Sequence, residues 1–588
     1  MNVSFALWLV MAGWCAAVAT AKFNFVSSTL GSEMVLQRDR VNPIFGWTTK
    51  ANEDVFLSLD RGEGYQENQE FTTTSASEES ANGGYLYLID LQPMAASFTP
   101  LALTIKSSES DERVTMTNVL VGEVLLCSGQ SNMQYAMPGV SDSEEAIAEA
   151  DSYPNIRLFT VGQNYDMPQR RGDAPQDELY TILQPWVTAS AAAVGGTGDV
   201  WGVFSGTCWF TGKDVYDNQL QGEVPVGLIV SSWGGTVIEA WTQESDSDVC
   251  MADVGGSGGG AKAMSIDDVR VEALRTIKTH DPSVPVFGQQ NASGVSEDFD
   301  PFQLGSLFNT MIHPFKYTTI RAIVWYQGES NMHDTAQDNA FYTCMMPRML
   351  ATWRGMGPSF DGAKMAFMQV SPWTWQTNHN NHPTGFAGIY SFRNAQRAVL
   401  DVSEVAQSGS MAMVTAADLG DPDAPNGDIH PRNKQEVGRR LAMALSTLVY
   451  DSPAGAHMGP EVQSTTVLKD AYSGYSVRMT FTDASLDGEA VQLLQPQVCP
   501  GRSTSGRCGY VELVTRDCAS SKARDGGECI VRCEVVRAEN YPNAIDIVPI
   551  DRILSEPPLR IRYCLGDYPL MQVYNTAGAP LLHFETVL

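Results

Sequence analysis

Five apolar runs constrain this chain more than any other feature: "VGEVLLCS" at 121–128, "VPVGLIVSS" at 224–232, "TIRAIVWY" at 319–326, "KMAFMQVS" at 364–371 and "SMAMVTAA" at 410–417. A strand with one wet face alternates apolar and polar residues. A strand apolar throughout needs both faces covered, and that is the condition of a parallel sheet between layers of helices. Longer mixed segments separate the runs. One of them, "PRNKQEVGRRLAMALSTLV" at 431–449, places Val437, Leu441, Ala444, Leu445 and Leu448 on one helical face, with Pro431 suited to the first turn. Residues 119–450 therefore read as an α/β domain with a parallel sheet and helices on both faces.

The flanks read differently. Residues 22–118 alternate between turns at Gly and Asn, as in "DVFLSLD" and "YLYLIDL", and predict a small β-domain, a sandwich. Residues 451–588 are again strand-like and hold six of the eleven cysteines: Cys499, Cys508, Cys518, Cys529, Cys533 and Cys564. Such density implies disulfides and an oxidising compartment. Cys127, inside an apolar run, reads as a core thiol. Residues 1–21 resemble a secretory leader, with an apolar stretch from Phe5 to Val18 and a small-residue end, Ala19-Thr20-Ala21. Asn291-Ala292-Ser293 is a glycosylation sequon. The expectation is a protein of the secretory pathway, secreted or lysosomal, with no further segment that spans a membrane. A net charge of −30 argues against nucleic acid or an anionic membrane as partner.

Each apolar run ends in something chemically specific. The first breaks into Gly129-Gln130-Ser131-Asn132, the second into Gly234-Gly235-Thr236 and Glu239, and the third into Gln327-Gly328-Glu329-Ser330-Asn331. The last runs into a loop that closes with Asp428-Ile429-His430-Pro431. Open parallel sheets bind ligands at the carboxyl ends of their strands, so four polar strand ends converge on one crevice. Ser131 is a nucleophile if a base takes its proton, and His430 is the only one of eight histidines at such a strand end beside an acid. Gly234 and Gly235 let a backbone N–H face an oxyanion without a Cβ in the way; Gln327 offers a side-chain amide, and Ser131 its own N–H. Asn132 and Glu329 support the loops. These are the parts of an acyl-transfer site, and no His, Cys and carboxylate cluster has ligand spacing, so neither metal nor cofactor is expected.

The four blocks "SGQSNM", "WGGTVIEAW", "WYQGESN" and "DIHPRNKQEVGRRLA" resemble those of the sialate O-acetylesterase family, within the SGNH hydrolase superfamily. "MVLQR" at 34–38 and "IRYCLGDYP" with "NTAGAPLLHF" near the end are similar too, so the resemblance covers nearly the whole chain after the leader. It implies a flavodoxin-like sheet, Ser131 as nucleophile, His430 as base, an oxyanion N–H at Gly234, and Gln327 where most relatives hold Asn. It also implies removal of O-acetyl groups from sialic acids through an acetyl-enzyme; acetylated xylan or another neutral polysaccharide, and an inactive carbohydrate-binding protein, are the alternatives. The superfamily's Asp-x-x-His is broken, because position 427 is Gly. Asp428, two residues before His430, aligns with it only if the backbone is extended. Asp418, Asp421, Asp423 or a backbone carbonyl are the other candidates.

Overall fold

The computed structural model describes residues 24–62, 68–163, 172–255, 299–332, 336–372, 389–450, 456–470, 474–494, 508–516, 528–550, 552–566 and 568–588. The leader, the sequon at Asn291, Cys499 and Cys518 lie outside the described residues.

Six strands open the chain: β1 (Val35–Gln37), β2 (Asn42–Thr48), β3 (Asp54–Asp60), β4 (Gln69–Thr74), β5 (Tyr85–Leu91) and β6 (Ser97–Ser107). β2 and β5 pair as one antiparallel sheet, and β4, β3 and β6 lie side by side in another. Val55, Leu57, Leu103 and Ile105 from one sheet share a core with Ile44, Tyr87 and Ile89 from the other. β7 (Arg113–Gly129) then does two jobs. Its first half pairs antiparallel with β6, and its last half, from Glu123, pairs parallel with strands of the central sheet. The junction drawn at 118/119 falls inside this strand, at Asn118, whose φ is +55°. Burial changes there too: β7 alternates up to that point and is wholly buried after it, as one wet face gives way to two covered ones.

The central sheet adds β8 (Ile156–Val161), β9 (Ile182–Thr188), β10 (Val226–Ser232), β11 (Ala322–Tyr326), β12 (Lys364–Gln369) and β13 (Met411–Thr415), in the order β13-β12-β11-β7-β10-β8-β9. All neighbours are parallel except β8 and β9. Side chains alternate between two cores, as the two-residue period requires. Val124, Leu126, Ile323, Trp325, Met365 and Phe367 face one, and Leu125, Cys127, Val324, Tyr326, Ala366 and Met368 the other.

Six helical segments matter here: α1 (Ser131–Gln134), α2 (Gly206–Asp214), α3 (Glu244–Gly255), α4 (Ala336–Gly355), α5 (Ile389–Ala398) and α6 (Lys434–Val449). Met345, Met349 and Trp353 of α4 and Phe392 of α5 cover the first face. Trp209 of α2 and Val437, Leu441 and Leu445 of α6 cover the second. Each such Val, Leu, Met or Phe side chain, fully buried, contributes roughly 1.5–3 kcal/mol. The helix read at 431–449 begins at Lys434, where the Asn433 side chain caps the Glu436 amide.

Cys127 corrects the core-thiol expectation. It is joined to Cys208 of α2 across a sequence separation of 81, a closure that restricts the unfolded chain by about 4 kcal/mol in the loop-entropy account. Cys250 and Cys344 tie α3 to α4. The C-terminal cysteines divide: Cys529 is disulfide-bonded, while Cys533 and Cys564 are buried thiols. Their module is strand-rich, built on a seven-stranded sheet from Val462–Asp470 to Phe584–Val587. Among the described residues no helix is long and apolar enough to cross a membrane.

Candidate active site at the carboxyl edge of the sheet

β7 stops where the backbone leaves no room for a side chain. Gly129 has φ +139°, and a Cβ there would meet the Tyr326 carbonyl oxygen at 2.1 Å. The Gln130 amide donates to the same carbonyl, 3.1 Å away. The chain then turns into α1, whose first residue is Ser131. β10 ends alongside, with the Trp233 amide donating to the Gly129 carbonyl at 3.0 Å. Gly234 follows so closely that a Cβ on it would lie 3.4 Å from Ser131 Cβ. Its amide donates to Gln134 Oε1 at 2.8 Å, so a carbonyl-type oxygen already faces this N–H beside the serine. Gly235, at φ +76°, turns the chain away.

β11 delivers Gln327, and here the expectation changes. Gln327 is fully buried, and Nε2 has three acceptors: Asn331 Oδ1 at 2.7 Å, Thr236 O at 3.0 Å and Gln130 Oε1 at 3.2 Å. Two hydrogens among three internal acceptors leave none for an oxyanion. Gln327 is instead a bracket that joins the ends of β7, β10 and β11. Gly328 beside it has φ +148°, and a Cβ would strike the Phe392 ring at 2.6 Å.

The fourth strand end is a loop between β13 and α6. The His430 amide donates to the Gly427 carbonyl at 2.9 Å, closing a tight turn with Asp428 and Ile429 at its middle. Gly427 starts that turn at φ +88°, a left-handed conformation that favours glycine over aspartate. The extended approach that would align Asp428 with His430 is therefore absent. Nδ1 of His430 lies 2.7 Å from the Asn426 main-chain oxygen. A carbonyl only accepts, so Nδ1 carries the hydrogen and Nε2 is left as the basic nitrogen. At Nδ1 the Asn426 carbonyl orients the imidazole. Asp421 is bound by Arg432, which holds its carboxyl below the usual range, and Asp418 pairs with Arg440 at 2.6 Å.

Two residues of α1's neighbourhood join Ser131 to the His430 loop. Tyr135 stacks on the His430 imidazole, centroids 6.0 Å apart and 11° between planes, and its hydroxyl donates to Asn426 Oδ1 at 3.1 Å. Asn132 donates from Nδ2 to Glu329 Oε1 at 2.6 Å and to the Ile429 carbonyl at 2.9 Å, while its Oδ1 accepts from Lys434 Nζ at 2.6 Å. Burial raises the Glu329 carboxyl and pushes the Lys434 ammonium down to about 7. Trp201 sits edge-on to His430 at 5.0 Å and is partly exposed.

Gln134, Tyr135, Trp201 and Lys434 escaped the sequence reading, and Asn331 was named there without a part. Lys434 left a trace: it lies three residues before Val437 and seven before Leu441, on the apolar face of α6, where a lysine is out of place. Gln134 and Trp201 left none, since their roles come from neighbours distant in sequence. Among the described residues no cluster of His, Cys, Asp and Glu is arranged to hold a metal ion.

No family model matches the chain. Over 446 residues it is 27% identical to the sialate O-acetylesterase of Mus musculus, covering 74% of this chain and 75% of that protein. Over 457 residues it is 26% identical to the sialate O-acetylesterase of Homo sapiens, covering 76% and 75%. A solved carbohydrate acetylesterase from Xanthomonas citri shares the fold, with a TM-score of 0.65 at 20% identity, over 95% of this chain and 99% of that one. The class this defines is that of esterase-like α/β proteins flanked by β-modules. Within it, the chain is a relative of the sialate O-acetylesterases.

Proposed function

We propose that this protein is a serine esterase of the SGNH type that removes O-acetyl groups from carbohydrates, sialic acids foremost. It is a carboxylic ester hydrolase, as its relatives are. The observation that carries the reading is the meeting of Ser131, the Gly234 amide and the His430 loop at one sheet edge, bound together through Asn132. With β8 and β9 set aside, the strand order β10-β7-β11-β12-β13 is second-first-third-fourth-fifth, the flavodoxin-like order, and this supports the SGNH assignment.

In the first half-reaction Ser131 Oγ attacks the acetyl carbonyl carbon, and its proton passes to His430 Nε2. Nδ1 keeps its hydrogen and donates it to the Asn426 carbonyl, which fixes the productive tautomer. The carbonyl oxygen becomes an oxyanion, held by the N–H groups of Ser131 and Gly234; Gln134 Oε1 gives up the Gly234 amide to it. Collapse breaks the ester C–O bond, and His430 returns its proton to the departing sugar oxygen. In the second half, water attacks the acetyl-enzyme with His430 again as base, releasing acetate and restoring the serine. Every group used belongs to the chain.

The leader-like residues 1–21 and the buried disulfides Cys127–Cys208 and Cys250–Cys344 support a place in the secretory pathway. Purified protein should release acetate from 9-O-acetylated sialic acid with a kcat/KM at least tenfold above that for acetylated xylan. The reverse order would assign it to neutral polysaccharide. Turnover of neither, nor of 4-nitrophenyl acetate, would leave only a binding protein.

A further inference from the structure

Lys434 is a fully buried lysine to which the reaction above gives no part. We propose that Lys434 is a positioning residue of the esterase site: through the Asn132 amide it locks the nucleophile's helix to the loop that carries the base. The inference rests on the esterase reading and names a residue which that reading does not need.

The geometry runs as a single chain of contacts. Lys434 opens α6, four residues after His430. Its Nζ lies 5.4 Å from the ring centres of both Tyr135 and Tyr326, so aromatic faces wall the cation on two sides. Its hydrogen bond goes to Asn132 Oδ1, 2.6 Å away. The other end of that amide reaches Glu329 Oε1 and the Ile429 carbonyl. An asparagine amide has an acceptor end and a donor end. A cation at the first and a carboxyl at the second admit only one orientation. In that orientation alone can Asn132 donate to Ile429.

The two ends of this clamp are the residues next to the reacting groups. Asn132 follows Ser131, and Ile429 precedes His430. The Asn132–Ile429 bond therefore gauges the spacing between nucleophile and base. An error of 1 Å in such spacing costs on the order of 100-fold in rate. Without Lys434 the amide is free to flip or tilt, and the gauge is lost. A role in stability alone is a poor account of the lysine, because well-packed apolar residues commonly replace a buried ion pair without loss. Burial lowers the Lys434 ammonium and raises the Glu329 carboxyl, while Glu329 and Asp421 act to keep Lys434 charged. Either form of the amine donates to Asn132, but only the ammonium, which cannot accept, excludes the flipped amide.

The test uses Lys434→Met, Glu329→Gln and the charge-balanced double variant, each measured for kcat and KM on 4-nitrophenyl acetate, for Tm, and for the rate at which a fluorophosphonate labels Ser131. Lys434→Met should lower kcat and the labelling rate about 100-fold, with KM within threefold of the wild type. In the double variant Tm should recover while kcat and labelling stay low, because the donor to Asn132 is still missing. If Lys434→Met does not fold, the double variant decides alone. Recovery of kcat together with Tm would reduce Lys434 to a stabilising group, and a kcat for Lys434→Met within threefold of wild type would equally overturn the proposal. Wild-type protein that neither turns over nor is labelled at Ser131 would remove the esterase reading, and this inference with it; labelled wild type with equally fast variants would remove the inference alone.

Discussion

Ser131 and His430, the proposed nucleophile and base, are held by opposite means. Ser131 sits two residues beyond a central strand, and what fixes it is backbone: Gly129 against the Tyr326 carbonyl, Trp233 on the Gly129 carbonyl, Gly234 against Ser131 itself. His430 sits on a long loop, and what fixes it is largely side chains from elsewhere. Arg432 holds Asp421, and Arg440 holds Asp418. Tyr574 and Tyr568 of the C-terminal module bind Asp418 Oδ2 and the Gly420 carbonyl at 3.0 and 3.1 Å. A nucleophile needs one strained, unvarying approach, which the end of a strand supplies. A base that moves a proton twice needs orientation, which a loop tied down at several points supplies equally well.

The largest test of this contrast is Ser131→Ala. It should lower kcat by roughly 10⁴-fold or more with Tm unchanged, since the helix and its backbone contacts remain. Retained turnover would remove the mechanism from this crevice. The base side should respond much less to loss of one charge. Because the Asn426 carbonyl holds Nδ1, Asp428→Asn should cost about tenfold or less in kcat; a loss near 10⁴ would show that the carboxylate, and not the carbonyl, sets the tautomer.

The smallest effect concerns pH and the clamp between the two sides. The Lys434 ammonium, ordinarily at 10.5, is pushed down to about 7 by burial. Between those values the unfolded chain holds a proton that the folded protein has released. Stability attributable to this group therefore rises with pH from about 7 to 10.5 and is least below 7. Lys434→Met should flatten the dependence of unfolding free energy on pH by about 1 kcal/mol per unit in that window, as read by denaturant titration at several pH values. Identical slopes for wild type and variant would contradict it.

The same contrast explains what the sequence disclosed. The parallel sheet was legible because five apolar runs admit few other arrangements. The placement of Ser131 and Gly234 at the sheet edge was legible because their geometry is local, set by adjacent glycines. Gln327 misled because an amide at a strand end looks available until its buried acceptors, Asn331 and Thr236, are brought in by the fold. Asp428 was placed on extended backbone, whereas it lies in a turn that Gly427 begins. Cys127 has its partner on a helix far along the chain, and spacing alone did not pair it.

β7 carries one more consequence. The strand that completes the N-terminal sheet is also the one that ends beside Ser131, the proposed nucleophile. It works as a ruler laid across both modules. A residue inserted or deleted near Asn118 shifts the count by one, and with a period of two every later side chain changes sides. Cys127 would then face away from Cys208, and the serine would be presented to the wrong layer. Variation in the first module is therefore tolerated on its surface but not in the length of this strand, and the first module keeps the phase of the one that carries Ser131.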